Sequence, residues 1–96
     1  MKAKTTKDGW RKFLNLCTRL ETAKQFDSFF DLFLTIEERE NISKRYEIIG
    51  ALLKGEKPQR DIAAQLNVSI AKISRGSNYL KIIDKDLRKF LEDQLL

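Results

Sequence analysis

Ninety-six residues with a single Cys17 exclude an internal disulfide framework and allow one domain with a thin hydrophobic core. A 34% share of charged residues, one Pro, four Gly and little β-branched alternation point to an all-α chain. There is no histidine, no phosphate loop after a strand, no metal-ligand cluster, no uncharged run near the ~20 residues that span a bilayer, and no signal-peptide pattern. The expectation is a cytoplasmic, membrane-free, metal-free protein that is not an enzyme.

Met1 to Thr6 reads as a polar, frayed start, followed by a helix from about Lys7 to Thr22 with Trp10, Phe13, Leu14, Cys17 and Leu20 on one apolar stripe. The stripe makes Cys17 a buried rather than a reactive thiol. From Lys24 to Leu34 the aromatics cover more than one face, which marks this segment as central to a core or a subunit interface. Thr35 and Glu38 form a capping-box pattern that opens a long helix to about Lys54, with Ile42, Tyr46, Ile49, Leu52 and Leu53 inward and Gly55 as its stop. Glu37, Glu38 and Glu40 in its first turn read as carboxylates on a helix dipole rather than as an acid/base pair. Pro58 starts the next helix, and Asp84 caps a last one that carries Leu87, Phe90, Leu91 and Leu95.

Between them, residues 59–81 read as two short helices and a tight turn. Ile62, Ala63 and Leu66 share one face of the first helix, and Ile70, Ile73 and Leu80 one face of the second. Asn67 suits a left-handed turn residue and Ser69 an N-cap. The outward residues Ala71, Lys72, Ser74 and Arg75 are short or cationic, as a major-groove edge flanked by phosphates requires. An αα-hairpin in an ordinary bundle has the same spacing, and charge separates the two readings. Lys57, Arg60, Lys72, Arg75, Lys81, Lys85, Arg88 and Lys89 against Asp61, Asp84 and Asp86 put +5 between residues 57 and 89, which equals the net charge of the whole chain. Such concentration favours a polyanion partner. Gly76, Ser77 and Asn78 are poor helix formers inside the second helix, so Gly76 marks either close helix packing or the wall of a ligand slot beside Arg75.

The residues Leu34-Thr35, Glu38-Arg39-Glu40, Arg45, Leu52-Leu53, Gly55-Glu56, Gln59-Arg60 and above all Arg75-Gly76-Ser77-Asn78 with Leu80-Lys81 carry a resemblance. The chain resembles the bacterial tryptophan repressor family from Trp10 to the C-terminus. The resemblance implies a six-helix intertwined homodimer with a helix-turn-helix motif. Residues 7–56 would form its dimerisation core, 58–82 its reading head and 84–96 a C-terminal core helix. It implies L-tryptophan as corepressor, with Arg45 and Arg75 sandwiching the indole, Gly76 leaving room for it, and carbonyls near Leu32 and Leu34 accepting from the ammonium. Thr35 and Arg75 would hold the carboxylate. Tyr79 departs from the pattern, since the family often has Ser there to help hold the ammonium, and Pro58 replaces a usual hydroxyl cap.

The implied mechanism is a tryptophan-dependent repressor acting at tryptophan biosynthesis, salvage or transport genes. Tryptophan selects the arrangement in which two heads stand about one DNA turn apart, ~34 Å, the spacing established for dimeric helix-turn-helix readers, Trp repressors among them. On operator DNA, Ile70, Ala71, Lys72 and Ser74 face base edges, while Gln59, Arg60 and Lys81 lie on phosphates. A constitutive or differently liganded DNA-binding regulator shares every feature except tryptophan dependence, and a helical adaptor for protein partners shares only the fold class.

Overall fold

The computed structural model describes residues 6–96, so the expectation for Met1 to Thr6 lies outside the described residues for positions 1–5. Among the described residues there are six helices and no strand: α1 (Thr6–Cys17), α2 (Ala23–Phe33), α3 (Ile36–Lys54), α4 (Gln59–Leu66), α5 (Ile70–Ile82) and α6 (Lys85–Leu95). They form two compact units, one up to Ile36 and one from Glu37 to Leu96.

In the first unit, α1 stops at Cys17 instead of running to Thr22. The chain tightens there, with Arg19 N–H donating to Leu16 O and Leu20 N–H to Cys17 O, both at 3.1 Å and three residues back. Thr22 is claimed by the next helix: its Oγ1 accepts from Gln25 N–H at 3.1 Å, and Gln25 Oε1 accepts from Thr22 N–H at 3.2 Å. This capping box begins α2 and removes Leu20 from the stripe of α1. Phe13 meets Phe29, Phe30 and Phe33 at centroid separations of 5.5, 6.4 and 5.2 Å, in tilted and edge-on arrangements that aromatic quadrupoles favour. Even so, no α2 residue is buried in the single chain, and Leu32 is 80% exposed. Cys17 is half-buried and free.

The second unit is organised by α4 packing on α5. Its core is Ile48, Ile62, Ala63 and Ile73, with Ala51, Leu52, Leu66 and Val68 packed around them. Ile48 therefore supplies α3's buried contact, whereas Ile42 and Tyr46, expected inward, are exposed. The reason is positional: the α4–α5 pair takes up the face around Ile48, Ala51 and Leu52, and those two side chains lie off it. Leu87 and Phe90 of α6 are likewise exposed.

Local chemistry sets each boundary. Gly55 ends α3 at φ +65, a left-handed conformation that costs glycine little. Pro58 occupies the N-cap rather than the first turn of α4, and its carbonyl accepts from Asp61 and Ile62 N–H. Asn67 adopts φ 55, ψ 50 as expected, and Val68 N–H returns to Ala63 O at 3.0 Å in a Schellman closure. Ser69 Oγ accepts from Lys72 N–H at 3.3 Å and Asp84 Oδ1 from Leu87 N–H at 2.8 Å, so both expected N-caps form. No helix among the described residues is long and apolar enough to cross a membrane.

Candidate ligand cavity and nucleic-acid interface

Helical spacing builds the cavity of interest. On α3, Asn41, Lys44, Arg45, Ile48 and Ile49 recur at three- and four-residue steps and share a face; on α5, Lys72, Arg75, Gly76 and Tyr79 do the same. Together they line a cavity of about 450 Å³, a size suited to a small molecule. The wall holds four cations, Lys44, Arg45, Lys72 and Arg75, and no carboxylate. Its potential favours an anionic group, while Ile48, Ile49 and Gly76 offer apolar surface.

Gly76 brings the backbone of α5 close to side chains of α3. A Cβ there would stand 3.2 Å from Ile48 Cγ2 and 3.3 Å from Leu52 Cδ1, tighter than ordinary van der Waals contact. Ile48 is buried and has little room to yield. The close-packing reading of Gly76 therefore holds, and the same residue also borders the cavity. Arg75 lies with Cζ 5.5 Å from the centroid of the Tyr79 ring, within cation–π range. Tyr79 thus supplies an aromatic partner to one of the two guanidinium groups singled out in the sequence.

The expected ligand residues fall into two groups. Arg45, Arg75, Gly76 and Tyr79 are brought to one cavity. Leu32, Leu34 and Thr35 cluster at the end of α2 in the first unit, where Leu32 is exposed and Leu34 is half-buried, its N–H donating to Phe30 O at 2.8 Å. Asn41, Lys44, Ile48 and Ile49 also line the cavity, beyond the ligand residues expected from the sequence. Their signal was present in the sequence, since each lies on the same helical face as Arg45.

Of the residues expected on DNA, Gln59, Arg60, Ile70, Ala71, Lys72 and Lys81 are exposed, and Ser74 is half-buried. Ile70, also expected on the packing face of α5, is 50% exposed, because Ile73 and Leu80 already fill the inward side. Ser74 Oγ donates to Gln59 Oε1 at 3.2 Å and links α5 to the first residue of α4. A second cavity of about 410 Å³ in the same unit is lined by residues that include Glu47, Lys54, Glu56 and Lys57, and by none of the expected site residues.

Residues 8–95 match the family model described as Trp repressor protein. This chain belongs to the Trp repressor family. It is 46% identical over 87 residues to the Trp operon repressor homolog of Chlamydia trachomatis serovar D, covering 91% of this chain and 93% of that one. The corresponding protein of Chlamydia caviae is 45% identical over 93 residues, 97% of this chain and 92% of the relative. The Trp operon repressor homolog of Haemophilus influenzae strain PittEE is 34% identical over 86 residues, 90% and 85% of the two chains. A Trp-repressor-type regulator is therefore the class to which this chain belongs.

Proposed function

We propose that this chain is a cytoplasmic, tryptophan-dependent transcriptional repressor that acts as a homodimer on operator DNA of tryptophan biosynthesis, salvage or transport genes. The observation that carries the reading is the convergence of Arg45 and Arg75 on one cavity beside Gly76. Planar guanidinium groups stack on an electron-rich ring and pair with a carboxylate, the two features tryptophan offers. Leu32 and Leu34 would supply carbonyls to its ammonium and Thr35 a hydroxyl to its carboxylate. Exposed Trp10, Leu32 and Phe33 in the first unit and Ile42, Tyr46 and Phe90 in the second support a partner subunit. The 7–56 core, the 58–82 head and the 84–96 helix are the corresponding parts of that assembly.

Calorimetric titration with L-tryptophan, with L-tyrosine and L-phenylalanine as controls, tests the ligand directly. One selective site per chain is the expected result. An absence of heat at several temperatures would remove tryptophan from the mechanism. The contact between Arg75 and Tyr79 favours the second reading, a constitutive or differently liganded helix-turn-helix DNA-binding regulator, because a ligand ring must share or displace that contact.

For DNA, linkage requires operator binding to tighten tryptophan binding by the factor with which tryptophan tightens operator binding. Lys81, exposed in the last turn of α5, is assigned to a phosphate, and Lys72, exposed in the first turn, to base edges. Lys81→Ala should weaken binding evenly across sequences and lower the salt slope by about one. Lys72→Ala should instead change sequence preference, measured on a panel of operator variants. An undiminished slope for the first variant would reject the phosphate assignment.

A further inference from the structure

The reading head is held to α3 by a bond that no sequence motif announced. α4 has only eight residues, too few to persist as an isolated helix, so its end must be secured by neighbours. Ala63 O and Ala64 O accept from Val68 N–H and Asn67 N–H across the turn. Leu66, the final residue of α4, has its carbonyl met by Lys44 Nζ of α3 at 3.0 Å, from 22 residues earlier in the chain. An ammonium at a helix C-terminus interacts favourably with the dipole and gives a charge-assisted hydrogen bond. The Leu66 side chain packs against the buried core, so the bond and the apolar contact locate the same residue.

We propose that Lys44 is a positioning residue for DNA recognition: it fixes the α4–α5 turn against α3 and thereby sets the pose of α5, without serving as a ligand or phosphate contact. Lys44 borders the cavity, yet its ammonium is engaged by the Leu66 carbonyl. The bond lies at the last residue of α4, four residues before α5 begins, so loss of it frees the turn that leads into the N-terminal residues Ile70, Ala71 and Lys72 of α5. The inference rests on the operator-binding reading for its consequence, although the bond itself does not.

The test compares the full chain with Lys44→Met, which keeps the apolar stem, and Lys44→Arg, which restores a cationic donor. In ligand-free protein, amide exchange at Val68 and Lys72 should accelerate about fivefold in Lys44→Met, with exchange at Ile62 and Ile73 unchanged. Operator affinity at saturating L-tryptophan should fall about fivefold, with an unchanged salt slope and recovery in Lys44→Arg. A slope lowered by about one would make Lys44 a phosphate contact, and a loss of tryptophan affinity in the absence of DNA larger than the loss of operator affinity would make it a ligand group; either overturns the proposal. Unchanged exchange at Val68 and Lys72 also overturns it. If the unmodified chain binds no operator, the repressor reading fails, and the exchange measurement then decides the role of Lys44 in the turn.

Discussion

Replacing Ile73 by Ala is expected to lower the stability of the chain by about 2–5 kcal/mol, the range for removing a buried aliphatic side chain when its surroundings cannot collapse. Ile73 is fully enclosed, at 0% exposure, and forms one cluster with Ile48, Ile62 and Ala63 from the neighbouring helices. Truncation removes apolar contacts to the α3 and α4 members of the cluster and leaves a hole among buried side chains. In a domain of this size each kcal/mol moves Tm by about 4–8 °C, so thermal unfolding should shift by roughly 8 °C or more. The loss should reach function, since Ile73 lies between Lys72 and Ser74 and anchors the helix that presents them. A destabilisation below about 1 kcal/mol by chemical denaturation would mean that this cluster is not the core of the second unit.

Arg75→Ala is expected to weaken L-tryptophan binding about 100-fold while leaving the fold intact. Arg75 is exposed, so its removal creates no cavity in the core. The proposed role joins two contributions, ring stacking worth up to about 2 kcal/mol when desolvated and a charge-assisted bond to the carboxylate. Arg75→Lys should recover little, because an ammonium is neither planar nor bidentate. Tyr79→Ser provides the opposite control: it removes the ring now 5.5 Å from Arg75 and should tighten tryptophan binding by about two- to fivefold, the worth of an exposed cation–π contact. Calorimetry on the three variants reads all of these effects. Weaker binding in Tyr79→Ser would assign the ring to the ligand instead, and normal binding in Arg75→Ala would reject the guanidinium sandwich.

Much of the fold was legible wherever a short-range rule decided the outcome. Asn67 in the left-handed region, Gly55 at the end of α3, and Ser69 and Asp84 as N-caps all follow from what a residue can do within a few positions of itself. At Thr22 two short-range signals compete. Its capping box with Gln25 was present in the sequence, and the apolar stripe of α1 concealed it by continuing in register to Leu20. Apolar periodicity shows that a residue can face inward; it does not show that another element arrives to cover it.

The sequence by itself determined the helix class, the turn between α4 and α5, the concentration of positive charge between residues 57 and 89, and the family signature around Arg75, because each depends on residue identity and near spacing. Tertiary structure alone decided that Ile48 is the buried residue of α3 while Ile42 and Tyr46 are not, that Arg45 and Arg75 border one cavity, and that Lys44 reaches Leu66 across 22 residues. Those facts depend on where one helix crosses another. The approach of α5 to α3 at Gly76 is set by side-chain shape on both helices together, a property that no single stretch of the chain contains.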